Sequence, residues 1–151
     1  MSQEHPVTVY ADVVCDLFHA GHIEFFRQAR GLGDRLIVGL VSDANVETYK
    51  PRPIMTLAER VAVVSTCRYV DSVVADCPLF CTPEFLDSIG ADFACHGDDF
   101  SPEGLRYYYG ALIPSGRLRT VHYTAGISSR DIVQRVVTRH KEGSLRTDKD
   151  A

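Results

Sequence analysis

The chain has 151 residues, 45% hydrophobic and 24% charged, with 16 basic residues against 20 acidic ones for a net charge of −4. That is one domain's worth of globular composition, which argues against disorder, and its mild acidity argues against a general nucleic-acid binder. No apolar run approaches the roughly 20 residues of a membrane span, and Met1–Val14 lacks a basic start ahead of an apolar core, so the sequence predicts a cytosolic protein.

In chain order, Val7–Val14 (VTVYADVV) is rich in β-branched residues and reads as a buried strand. A loop over Cys15–Gly21 follows, then a helix through about Arg30, stopped by Gly31-Leu32-Gly33-Asp34. Leu36–Val41 is a second apolar strand. Ser42–Lys50 is a polar connection that runs into an extended turn at Pro51 and Pro53. Thr56-Leu57-Ala58-Glu59 has the capping-box spacing and starts a helix to about Cys67. Ser72–Val74 is a short strand, Thr82-Pro83-Glu84 opens another helix, and Ala91–Cys95 is the fourth strand. Asp99–Gly116, with Tyr107-Tyr108-Tyr109, is expected as a loop and a short helix. Leu118–Tyr123 is the fifth strand and Ser128–His140 the last helix, ahead of a polar tail over 141–151.

Strands alternating with helices imply an α/β fold, with a parallel sheet covered on both faces, in a single domain over 1–140. Ligands of such sheets bind beyond the carboxyl ends of the strands, where strand order reverses. The five cysteines are Cys15, Cys67, Cys77, Cys81 and Cys95. They lack the closely paired spacing of a zinc site and read as buried or strand-end thiols, and no protein metal site is expected.

Two motifs carry chemistry. His19-Ala20-Gly21-His22 falls between the first strand and the first helix, which puts both imidazoles at the carboxyl edge of the sheet. The helix N-terminus there attracts phosphate, and two histidines beside it can donate hydrogen bonds to phosphate oxygens. Gly126-Ile127-Ser128-Ser129-Arg130-Asp131 opens the last helix, where hydroxyls, free amides and Arg130 make an anion pocket. The pair predicts nucleotide phosphates held between two helix N-termini.

With Val9-Tyr10-Ala11-Asp12, Asp16-Leu17-Phe18-His19-Ala20-Gly21-His22, the stretch around Lys50, Cys67-Arg68-Tyr69-Val70-Asp71, Thr82-Pro83-Glu84-Phe85-Leu86, His96-Gly97-Asp98-Asp99 and Gly126-Ile127-Ser128-Ser129 in this order, the chain resembles the CTP-dependent cytidylyltransferases of the H-x-G-H nucleotidyltransferase superfamily. It is most like those acting on phosphoethanolamine, phosphocholine and glycerol 3-phosphate. The resemblance implies a Rossmann-like doubly wound fold and transfer of CMP from CTP to a small phosphate, with pyrophosphate released. It implies that His19 and His22 bind the α-phosphate as charge builds, and that Lys50 reaches the phosphates. It places Val14, Cys15, Asp16, Gly21, Gly97, Asp98, Asp99, Gly126, Ile127, Ser128, Ser129 and Arg130 against the nucleotide. Arg68 and Asp71 would support the site close to the interface of a homodimer. Mg²⁺ would enter mainly on the CTP phosphates.

The chain departs from the family in two places. Val13 and Cys15 stand where a glycine and an aromatic are usual, and Tyr123-Thr124-Ala125 stands where an arginine and a glutamate are usual. Arg130, Arg119 or His122 are candidates to replace the missing arginine. Leu79 stands where the choline enzymes carry a tryptophan, while Tyr109 falls where a choline-box tyrosine would be, so the acceptor is expected to be phosphoethanolamine or a small phosphonate such as 2-hydroxyethylphosphonate rather than phosphocholine. An ATP-dependent adenylyltransferase and a nucleotide-binding protein without catalysis are the competing expectations.

Overall fold

The structure, a computed structural model, describes residues 4–122 and 126–145. Its strands are β1 Thr8–Val13, β2 Arg35–Leu40, β3 Ser72–Ala75, β4 Phe93–Gly97 and β5 Leu118–Val121, all parallel, in the order β3-β2-β1-β4-β5. The helices are α1 Ala20–Arg30, α2 Asp43–Glu47, α3 Leu57–Val64, α4 Pro83–Ile89, α5 Pro102–Tyr109 and α6 Ser129–Lys141, with a 3-10 turn at Gly110–Leu112. This is the expected single-domain α/β sheet with helices on both faces.

Successive strand residues point to opposite faces, so the sheet carries two cores. Val9, Ala11, Leu36 and Val38 pack with Phe26 and Ala29 of α1 and Val64 of α3. Tyr10, Ile37 and Ala94 pack with Leu86 of α4, Tyr109 of α5 and Leu112. Cys15 and Cys95 lie in the first core, Cys81 in the second, and Cys77 in a small cluster with Val41 and Val46; none forms a disulfide.

Several boundaries differ from the sequence reading, each for a local reason. The polar Ser42–Lys50 stretch contains α2, capped by the Ser42 hydroxyl on Asn45 N–H at 3.2 Å; a five-residue helix is too short to show a period. α3 ends at Val64 because the Ser65 and Thr66 hydroxyls bond back to Val61 and Val63 carbonyls. β4 starts at Phe93 because Gly90, left-handed at φ 70°, and Ala91 are spent closing α4. The stretch after Asp99 forms a full helix, α5, with Ser101 as cap and Pro102 at its first position. That Ser-Pro-Glu start repeats the Thr82-Pro83-Glu84 signal of α4.

The topology opens a crevice. β1 pairs with β2 from Thr8 to Val13, but with β4 only at Val9–Phe93 and Tyr10–Ala94. Beyond Tyr10 the two central strands part, at the switch point where ligands of such folds bind. Arg60 of α3 closes the neighbouring edge. Its guanidinium is fully buried and bonds the carbonyls of Val14 and Val41, each at 2.8 Å, and the Asp43 carboxylate at 2.6 Å. Among the described residues, no helix is long and apolar enough to cross a membrane.

Candidate active site

A cavity of about 1050 Å³ opens at the carboxyl ends of β1 and β4. At one end the chain turns from β1 into α1. Cys15 and Leu17 hold left-handed backbone there, at φ 61° and 49°. Strain of this kind concentrates at functional loops. The Asp16 carboxylate fixes the turn by accepting from the amides of Leu17, Ile54 and Met55, at 3.1, 2.8 and 2.9 Å.

His19 is the cap of α1. Its Nδ1 accepts from Gly21 N–H at 3.0 Å, and His22 Nδ1 accepts from His19 N–H at 3.2 Å. A ring nitrogen that accepts carries no proton, so both neutral rings keep theirs on Nε2. The two rings lie 3.8 Å apart, centroid to centroid, and both line the cavity. Burial lowers the His22 pKa to about 4, helped by the neighbouring His19; burial also lowers that of His19. The pair is therefore two neutral N–H donors at neutral pH. Gly21, in the first turn of α1, is required by space. A Cβ on it would lie 2.8 Å from His19 Cε1 and 3.3 Å from Ile127 O.

The second helix start meets the first. Ser128 caps α6 through Asp131 N–H at 3.1 Å, and the Ser129 hydroxyl donates to the Asp16 carbonyl at 2.6 Å. Two helix N-termini, with their free amides and dipoles, thus share one wall. Lys50 and Arg130 line the same space. Desolvation lowers the Lys50 pKa, Asp16 opposes that, and the Arg130 charge adds to it. The combination is an anion site that joins fixed amide donors to two cations.

The other end of the cavity is aromatic and acidic. Asp12 accepts a hydrogen bond from the Tyr109 hydroxyl. Burial raises the Asp12 pKa, while Tyr109 and His96 pull it back. His96, Phe100, Tyr108 and Tyr49 complete the walls. His96 lies against Phe100 at 4.6 Å and edge-on to Tyr109 at 5.3 Å.

A nucleotide-sized crevice with two histidine donors at a helix start is also what the sequence comparisons bear on. The model of the "Cytidylyltransferase-like" family matches residues 14–135. The chain belongs to the cytidylyltransferase-like family. It is 38% identical over 90% of its length to an ethanolamine-phosphate cytidylyltransferase of Dictyostelium discoideum. It is 41% identical over 89% of its length to choline-phosphate cytidylyltransferase A of Homo sapiens. It spans only 38% and 37% of those two relatives. A lipopolysaccharide core biosynthesis protein from Thermoplasma volcanium shares the fold, with TM-score 0.66, 22% identity, and coverage of 80% of this chain and 99% of that one.

In this cytidylyltransferase-like chain, most residues singled out in the sequence reach the cavity. Val14, Cys15, Asp16, His19, Gly21, His22, Lys50, Leu79, Gly97, Asp99, Tyr109, Ile127, Ser128, Ser129 and Arg130 all line it. Four do not. Arg68 is exposed, and Asp71 sits at the opposite, amino end of the sheet. Asp71 accepts from Leu36 N–H at 2.8 Å and pairs with Arg30 at 3.1 Å, so it braces the sheet rather than a ligand. Asp98 is not on the wall but pairs at 3.1 Å with His122, which is, and Gly126 is exposed. Tyr109 is corrected in part: its hydroxyl is committed to Asp12, which leaves the ring edge for a ligand.

Of the three candidates to replace the family's arginine, His122 and Arg130 line the cavity. Arg119 instead lies over Phe93 at 5.0 Å and bonds the Gly116 carbonyl. Tyr123-Thr124-Ala125 lies outside the described residues.

Sequence reasoning gave no role to Asp12, His96, Tyr49 or Arg60. Two of these carried a signal: Asp12 is an acid at the end of an apolar strand. Arg60 is a charge three residues after Leu57 and four before Val64, on the buried stripe of α3.

Proposed function

We propose that this chain transfers CMP from CTP to a small acceptor of the phosphoethanolamine type. The observation that carries the reading is the pair of neutral histidine donors at the start of α1, facing the start of α6 beside Lys50 and Arg130. An oxygen of the acceptor phosphate attacks the α-phosphorus of CTP and forms a new P–O bond. The bond from that phosphorus to the β-phosphate oxygen breaks, and pyrophosphate leaves with the electron pair. His19 and His22 donate to α-phosphate oxygens as charge accumulates, while Lys50, Arg130 and the free backbone amides at the start of α6 hold the remaining phosphate oxygens. Such transfer is governed by positioning and charge neutralisation.

Mg²⁺ would ride on the CTP phosphates and neutralise part of their charge. Relatives named for ethanolamine-phosphate and choline-phosphate support the reaction class. Choline is the second reading, because Tyr49, Phe100 and Tyr108 offer aromatic faces that suit a trimethylammonium. Against it stands Leu79, packed with Val41, Val46 and Cys77, which presents no ring.

The test is pyrophosphate release with CTP or ATP, Mg²⁺ and a panel of phosphoethanolamine, 2-hydroxyethylphosphonate and phosphocholine. Release with CTP and an ethanolamine or hydroxyethyl acceptor supports the reading. Release with ATP alone, or none, overturns it. We place the contact between two copies at the Cys67–Asp71 surface; a monomer by light scattering at micromolar concentration removes that part.

A further inference from the structure

We propose that His96 selects the acceptor: its Nε2 takes a hydrogen bond from the acceptor's primary ammonium, and so disfavours a trimethylammonium. This rests on the cytidylyl-transfer reading above and assigns the residue that reads the acceptor's tail.

His96 is the penultimate residue of β4, at the crevice where β4 parts from β1. Its Nδ1 lies 2.9 Å from the Gly97 carbonyl. A carbonyl only accepts, so Nδ1 carries the hydrogen, and in the neutral ring Nε2 is left as a bare acceptor. That nitrogen has no hydrogen-bond partner among the described residues, and the ring lines the cavity. The ring cannot turn to exchange its nitrogens without losing the Gly97 bond and the flanking contacts to Phe100 and Tyr109.

The strand register puts Asp12 beside it. Tyr10 pairs with Ala94, so Asp12 and His96, each two residues on, project from the same face of the sheet. This corner therefore offers two acceptors, the Asp12 carboxylate and His96 Nε2, and the hydroxyl nearest them already donates to Asp12. Such a set is completed by a ligand that brings several N–H donors. A primary ammonium has three. A trimethylammonium has none; it can satisfy Asp12 by charge alone and leaves Nε2 desolvated without a partner. A site that must hydrogen-bond its ligand rejects the analogue lacking the donor more sharply than an apolar slot does.

The experiment compares kcat/KM for phosphoethanolamine and phosphocholine in the wild type, His96→Phe and His96→Ala. The Phe variant keeps the ring stack and removes the acceptor nitrogen. The wild type is expected to prefer phosphoethanolamine, and each variant to cut that preference about tenfold, through KM of the acceptor with KM of CTP unmoved. A purely structural role would slow both acceptors alike, and an unchanged ratio in the folded variants overturns the proposal. So does a wild-type preference for phosphocholine. If His96→Phe does not fold, His96→Ala reads the same ratio. Direct calorimetric binding of the two acceptors to wild type and variant separates the two levels of the argument. No turnover with any acceptor sinks the reaction class, whereas the ratio of binding constants still decides the role of His96.

Discussion

At the α1 end of the cavity, His19 and His22 stand three residues apart and hold each other through their own backbone. At the α5 end, Asp12, His96 and Tyr109 come from β1, β4 and α5, and meet only because the sheet brings them together. The first end is local: its geometry is a helix cap, and its chemistry is readable wherever that cap is written. The second end is tertiary: each residue there is also a core residue or a neighbour of one. Substitutions at the α1 end should therefore strike the rate, and those at the α5 end should strike selectivity and stability together.

The largest expected effect tests whether the α1 end is local all the way down. Arg60→Met leaves the Val14 and Val41 carbonyls without their donor and Asp43 with only its longer, 3.9 Å ion pair to Arg52. Breaking a buried ion pair on one side costs about 3–5 kcal/mol, measured by urea denaturation. A loss under about 1 kcal/mol would show that the edge holds without this brace. Next, His19→Ala and His22→Ala should each lower turnover by about 10²-fold or more, with CTP affinity falling less, because the contact strengthens as charge develops. Gly21→Ala pushes on the His19 ring without removing it, and about a tenfold loss in turnover with unchanged denaturation would locate the effect in the cap.

The α5 end should answer differently. Tyr109→Phe removes the donor to Asp12 and should cost about 1–3 kcal/mol of stability while leaving CTP binding intact. The smallest effect is a dependence on pH. His22 is neutral in the fold down to about pH 4, whereas the unfolded chain protonates it near 6.5. Between those values the unfolded state binds more protons, so the contribution is complete above pH 6.5 and is lost as pH falls towards 4. Denaturation midpoints at pH 7 and pH 5 for wild type and His22→Gln read it directly: the wild type should lose more stability on acidification than the variant.

The same contrast explains what could be read from sequence. The H-x-G-H cap and the Gly126–Asp131 helix start were legible because each is a contiguous string whose residues act on neighbouring amides. The alternation of strands and helices was legible because both faces of a parallel sheet must be apolar. Asp12 and His96 were quoted as parts of motifs, yet their partnership was not visible, since 84 positions separate them and only the β1–β4 register aligns them. Arg68 and Asp71 lie away from the cavity: Asp71 directly precedes β3, so it serves the amino end of the sheet, a position its place ahead of the expected strand Ser72–Val74 already implied. α5 was half seen because three consecutive tyrosines fan round a helix: Tyr109 is buried, Tyr108 partly so, and Tyr107 exposed.

The buried thiols give the molecule a built-in clock. Desolvation pushes the thiols of Cys15, Cys77, Cys81 and Cys95 up to about 12, so at neutral pH each is almost wholly unreactive while its surroundings stay closed. Alkylation must wait for the chain to open around each one. Cys15 and Cys95 time the core under α1 and α3, Cys81 times the core under α4 and α5, and Cys77 times the strand end beside α2. Mass spectrometry of a timed alkylation, peptide by peptide, would then order the separation of the two faces of one sheet without any engineered label.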